Sequence, residues 1–363
     1  MNPSYLRQLT GLRFVAALAV LTSHFYQRGL IQIPVELYAA LDGGRTAVCF
    51  FFVLSGFILA YTYPTLNSRE QVRYFFVKRF ARLYPIVALA LFIAIVATVA
   101  NSDNQNFLKD RYSIRSDEST WLVLSFLAQV TSMTAWLPAA RLNQPFNAPA
   151  WSVSVEFFFY LAFPLILLFL KKLSRKQKYA LFFSALLVQW TIIQSINLFA
   201  PNSAEGFLVA QFPLTHLAEF LLGMLICNLL NVHIAKLLPF KFILHLIQVV
   251  LISLVVCLSL WPPLLPMYFL MTPVFAVLIA SFSLPNSLNL GLGSKPAVLL
   301  GESSYALYMI HIPTINLLEA NGMDFAVPGW IILLSVILVS IPVYKYYESP
   351  SRRFLIRKLK KRI

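Results

Sequence analysis

Arg13 and His24 stand eleven residues apart in the apolar run "LRFVAALAVLTSHF". On a helix, eleven steps of about 100° bring them back to one face, about 16 Å apart along the axis. A cation at the mouth of such a helix and a titratable ring deeper on the same wall are costly in a membrane, so they mark a functional site. Arg79 and Arg82, in "KRFARLYP", are spaced i,i+3, which puts two guanidinium forks on one helical face. Paired forks suit phosphate oxygens; anchoring to lipid phosphates is the plainer use. Glu156 is the one acid in "PAWSVSVEFFFYLAFP". A lone carboxylate there needs a partner or a proton, with Ser152 and Ser154 as local donors, and it could instead only tie two helices together. Ser304, Tyr308 and His311, in "GESSYALYMIHIP", fall at i, i+4, i+7 on one helical face, where a satisfied interhelical histidine is the simpler reading. His216 and Glu219, in "THLAEFLLG", form a further polar face of lower rank.

The elements that must carry these residues are membrane helices. The chain has 363 residues, 59% of them hydrophobic and only 12% charged, against about 25% charged in soluble domains. Long apolar stretches and so few charges indicate an all-α polytopic membrane protein. The net charge of +15 sits in short loops and in the tail "KYYESPSRRFLIRKLKKRI", as positive-inside charge does. That pattern argues against nucleic acid as a partner and points to membrane lipids. Cys49, Cys227 and Cys257 lie in apolar runs without metal or redox spacing and read as buried thiols; no metal site is expected. The first apolar run reads as a retained span and not a cleaved signal.

Apolar windows lie at 12–30, 44–64, 83–100, 149–170, 178–199, 207–230, 242–261, 263–283, 297–318 and 328–346. Basic loops at 67–85 and 171–178 belong in the cytoplasm, which leaves room for one crossing between residues 118 and 171. The span 149–170 takes it, so the apolar segment 120–138 is expected to be re-entrant or interfacial. Acidic or mixed stretches at 101–118, around Glu205 and in "EANGMD" fall outside, with the tight turn "WPPLLP"; Lys236, Lys241 and Lys295 fall inside. The expectation is about ten spans with both termini cytoplasmic, a transmembrane domain over residues 1–348 and a basic cytoplasmic tail over 349–363. Depth follows from a rise of 1.5 Å per residue. The arginines then lie at the cytoplasmic mouth, and His24, Glu156 and His311 in the middle and outer half. Such a division suits a long anionic donor entering from the cytoplasm. Coenzyme A is one: phosphates at one end, then an extended arm, on the order of 15–20 Å, comparable to the Arg13–His24 rise.

In order and position, these motifs resemble those of the acyltransferase-3 family of integral membrane acyltransferases. They are the Arg-x10-His pair at Arg13 and His24, "FFVLSGFIL", the Arg-x-x-Arg at Arg79 and Arg82, "WSVSVE" ending in Glu156, "SSYALYMIHIP" and "YYESPSRR". Val153 stands where the family pattern usually has Leu. The resemblance spans nearly the whole chain and is to the stand-alone form, without an SGNH hydrolase-like domain. It implies transfer of an acyl group, often acetyl, from cytoplasmic acyl-CoA to a hydroxyl of an extracytoplasmic glycan such as O-antigen, exopolysaccharide or a lipid-linked sugar, in the bacterial inner membrane. Small-molecule or lipid acceptors are the alternative within the family. On that reading Arg13, Arg79 and Arg82 hold the acyl-CoA phosphates. His24 acts as general base or carries the acyl group itself, and Glu156 orients His24. Ser304, Tyr305, Tyr308 and His311 form a pocket that polarises the carbonyl or binds acceptor. The rivals from other classes are a secondary transporter or flippase, using the same ionisable residues for proton coupling, and an inactive scaffold. Transporters commonly show inverted repeats and paired broken helices, and no repeat is evident here.

Overall fold

A computed structural model of the chain describes residues 6–41, 44–102, 104–115, 118–137, 139–199, 210–229, 241–260, 267–322 and 326–360. Expectations placed on Glu205, Lys236, the turn at 261–266, Asp103, Asp117 and Asp324 lie outside them. Among the described residues the fold is all-helical. In chain order the α-helices are α1 (Leu6–Gln27), α2 (Val35–Leu41), α3 (Arg45–Thr62), α4 (Arg69–Ala100), α5 (Gln105–Tyr112), α6 (Thr120–Val130), α7 (Ala140–Asn143), α8 (Ala150–Lys172), α9 (Arg175–Phe199), α10 (Leu217–Leu229), α11 (Lys241–Leu260), α12 (Met267–Phe282), α13 (Lys295–Ala320), α14 (Gly329–Pro342) and α15 (Ser349–Lys360). Val343–Glu348 is π-helical and joins α14 to α15 without a break.

Each expected apolar window overlaps a helix among the described residues. Seven of the described helices are long and apolar enough to cross a membrane: α1, α3, α4, α8, α9 (as Arg175–Ile196), α11 and the continuous Gly329–Lys360. The segment 120–138 holds only α6, eleven residues, and a single 3₁₀ turn, Thr134–Trp136. At 1.5 Å per residue α6 is about 16 Å long, half of a hydrocarbon core of about 30 Å.

By internal contacts the chain forms two compact units. The first comprises Met1–Leu66, Phe163–Thr191 and His216–Ser304. In it α3 and α10 pack closely, and glycine is the reason. A β-carbon on Gly56 would fall 2.0 Å from the carbonyl oxygen of Phe220, and one on Gly223 would fall 2.0 Å from that of Val53. Each helix thus lays its backbone in the notch left by the other's missing side chain, the small-residue packing that replaces hydrophobic drive within a bilayer. α1 is seated the same way: a β-carbon on Gly301 would meet the Thr10 carbonyl oxygen at 1.8 Å, and one on Gly11 the Leu292 carbonyl oxygen at 2.2 Å. α11 turns much of its apolar surface away from the protein, with Phe242 78% exposed. Cys257 lies on that helix and is exposed, while Cys49 and Cys227 are buried. The expectation of three buried thiols is therefore corrected for Cys257, because an apolar run in a membrane can face lipid as readily as protein.

The second unit comprises Asn67–Ala162, Ile192–Thr215 and Tyr305–Ile363. α4 starts fourteen residues before the expected window. Ser68 caps it, accepting from the Gln71 amide at 3.1 Å, while Gln71 Oε1 accepts from the Asn67 amide at 2.7 Å. This is a variant of the reciprocal capping box, and Glu70 in the first turn favours the dipole. Arg79 and Arg82 therefore sit about three turns inside a helix and not at its mouth. α6 is tied to the chain that follows it. Ser125 donates to the Leu142 carbonyl at 2.9 Å, and Gln129 to those of Pro145 and Asn147 at 3.1 and 3.2 Å. Phe146 packs with Leu91 and Ala94 of α4, and Leu122 and Phe126 of α6 close over them. α15 continues the expected tail as a helix packed against α4.

Candidate active site

Within the second unit, α4, α8, α13 and the π-helical turn before α15 build a column of polar groups. Its base is cationic. Arg82, 18% exposed, pairs with Glu348, which is 1% exposed. The Arg82 guanidinium carbon lies 5.1 Å from the centroid of the Tyr305 ring. Arg79 lies 5.6 Å from the Tyr160 ring and 5.9 Å from that of Phe75. Aromatic faces hold both guanidinium groups by cation–π attraction. Glu348 closes the six-residue π-helical stretch that follows Pro342. π-turns inside α-helices are frequent at functional sites.

The middle of the column is acidic and phenolic. The Tyr160 hydroxyl donates to Glu156 Oε1 one turn earlier on α8, and the Tyr305 hydroxyl donates to the Leu83 carbonyl at 3.3 Å. Glu156 lies within electrostatic reach of Arg82, Tyr160 and Tyr305. Depth estimates had separated Glu156 from the arginines. The early start of α4 removes that separation, since it carries the arginines further along the helix.

Above this, Ser152 donates to the Tyr308 hydroxyl at 2.8 Å, and Tyr308 donates to the Pro149 carbonyl at 3.0 Å. His311 is fully buried, with Nδ1 2.6 Å from the Tyr308 carbonyl oxygen. A carbonyl only accepts, so Nδ1 carries a proton. Asn147 Nδ2 donates to the Met309 carbonyl at 3.0 Å. Its Oδ1 is buried and without a hydrogen-bond partner. From Tyr160 to Ser152 the column spans about 12 Å of α8.

The structure thus brings Arg79, Arg82, Glu156 and Tyr305 together, and Tyr308 with His311. Arg13, His24 and Ser304 belong to the first unit. α1 runs unbroken through Arg13 and His24, so the expected shared face and rise hold along it. Both residues are half-buried. Ser304 is buried and donates to the Gly301 carbonyl of its own helix at 2.8 Å. His216 and Glu219 form a buried pair, Nδ1 to Oε1 3.1 Å, with the Phe52 ring 4.9 Å from the imidazole. Sequence reasoning missed Glu348 and Tyr160 as site residues. Glu348 was in view within "YYESPSRR", a motif that was given no site role. Tyr160 was hidden among the aromatic residues of "EFFFYLAF".

The family described as "Acyltransferase domain" matches residues 6–345, which includes every residue of the column except Glu348. The chain belongs to the acyltransferase-3 family. It is similar to the acyltransferase MdmB of Streptomyces mycarofaciens, 28% identical over 340 residues, covering 87% of this chain and 81% of that protein. It is also similar to the O-acetyltransferase OatA of Staphylococcus aureus, 22% identical over 380 residues, covering 97% of this chain and 58% of OatA. The chain therefore spans little more than half the length of OatA. No solved structure matches it. As a member of the acyltransferase-3 family with seven apolar helices of spanning length among its described residues, it is an integral membrane transferase.

Proposed function

We propose that this chain is an O-acyltransferase of the bacterial cytoplasmic membrane. It takes an acyl group, acetyl by preference, from cytoplasmic acyl-CoA and passes it to a hydroxyl of an extracytoplasmic glycan. The observation that carries the reading is the polar column, with arginines at one end and hydroxyl and imidazole groups at the other. A donor with phosphates at its head and a thioester at the end of a long arm matches that order of chemistry. Similarity to OatA, an O-acetyltransferase, supports the reaction type.

In this reading Arg79, Arg82 and Arg13 receive phosphate oxygens, for which a guanidinium offers a planar fork of donors. His24, as a neutral imidazole, removes the proton of the acceptor hydroxyl. The oxygen attacks the thioester carbonyl, the C–O bond forms, the C–S bond breaks, and the thiolate takes the proton back from the imidazolium. In the relay route the imidazole nitrogen attacks first, the thiol leaves, and the acceptor hydroxyl then takes the acyl group. Glu156 balances charge as the transition state develops. Ser304, Tyr305, Tyr308 and His311 are proposed to line the path of the arm and the acceptor.

The test is thiol release from acetyl-CoA by purified protein with and without a glycan acceptor. His24→Ala should abolish acceptor-dependent release while the protein still purifies as a folded species; wild-type turnover would remove both roles for His24. Labelled acetyl on the protein when acceptor is withheld would select the relay, and its absence direct transfer.

A further inference from the structure

The charge of α4 does not stop at Arg82, and α15 runs back along it. Glu348 meets Arg82 at one end, and at the other Lys360 Nζ lies 5.6 Å from the Tyr74 ring centroid. The two helices are therefore antiparallel from Tyr74 to Arg82 of α4, about 12 Å. Lys78 Nζ also lies over Tyr74, at 4.2 Å, so two ammonium groups share one phenol ring. Arg352, one turn beyond Glu348, is within electrostatic reach of Arg79 and Arg82 and also of Glu348. Along this seam lie five cations, Lys78, Arg79, Arg82, Arg352 and Lys360, with Glu348 beside Arg82.

Cations crowded at this density repel one another. Water screens them on an open surface, but a multiply charged anion neutralises them best. A single phosphate covers one end of a 12 Å seam. A nucleotide with a diphosphate and a separate ribose phosphate covers both ends.

We propose that α15 is the second wall of the donor site, with Arg352 and Lys360 binding phosphates of the acyl-CoA nucleotide opposite Arg79 and Arg82 of α4. The inference rests on the acyl-CoA reading above and adds to it residues from the basic segment that follows the last span. The same chemistry would hold the phosphate of an anionic lipid headgroup, and the test separates the two sources.

The whole protein is placed in nanodiscs of zwitterionic lipid, and binding of coenzyme A and of S-acetyl-pantetheine, which lacks the nucleotide, is measured. Arg352→Gln should weaken coenzyme A about tenfold, the loss expected for one charge-assisted contact, and Arg352→Lys should recover part of it. S-acetyl-pantetheine should bind both variants as it binds wild type. Arg352 is exposed, so the thermal unfolding midpoint should stay unchanged. Equal coenzyme A affinity in folded Arg352→Gln and wild type would overturn the proposal, as would an effect seen only in nanodiscs containing anionic lipid. Failure of wild type itself to bind coenzyme A would instead overturn the donor reading on which it rests.

Discussion

Arg82 and Glu348 are the residues on which the column's base depends. Glu348 is almost fully enclosed, and a carboxylate there is tolerable only beside a cation. Removing one partner of such a pair leaves the other charge buried, at a cost of about 3 kcal/mol. Glu348→Gln should therefore lower stability by that order in a denaturation series of the solubilised protein. The double variant Arg82→Gln/Glu348→Gln should recover most of the loss, because neither charge is then stranded. Additive losses in this cycle would mean that the two side chains act independently. Glu156 gives a second test at this scale. Glu156→Gln keeps the volume and the bond from Tyr160 but removes the charge near Arg82. It should reduce turnover more than it reduces stability, and unchanged turnover would make Glu156 helix-to-helix glue.

Among the elements, the α3–α10 pair lays backbone against backbone at a glycine on each helix. Gly56→Ala places a methyl group 2.0 Å from a backbone oxygen, and backbone on both sides has no rotamer into which to retreat. Overpacking of this kind costs about 1–3 kcal/mol, read as a lower melting temperature of the solubilised protein; an unchanged melt would show that the helices separate freely. The helices themselves were legible in sequence, because twenty apolar residues declare a span by length alone. The start of α4 was not. It is set by Asn67, Ser68 and Gln71, a capping signal in a polar stretch that charge counting assigns to a loop. The shortness of α6 was legible indirectly, through the side of the membrane demanded by the basic loops around it. The pairing of Glu348 with Arg82 spans 266 positions, and no local pattern encodes it.

For the whole molecule, length and charge work together. α4 and the continuous Gly329–Lys360 helix each hold 32 residues, about 48 Å, against a hydrocarbon core of about 30 Å. Both must overhang the bilayer, and their basic ends pack on each other in the second unit. Positive charge that favours the cytoplasm is thus gathered where an anionic donor would arrive. The composition that pointed to a membrane protein was enough for this much. Arg13, His24 and the column stand in separate units, and sequence spacing speaks only within one helix. The central claim is acyl transfer across the membrane from a thioester donor, and it is tested most directly in sealed proteoliposomes. With acetyl-labelled acetyl-CoA on the side of the basic helix ends and a glycan acceptor on the other, wild type should place label on the acceptor, and His24→Ala should place none. Label that appears equally with His24→Ala, or acceptor that crosses the bilayer without any thioester, would contradict it.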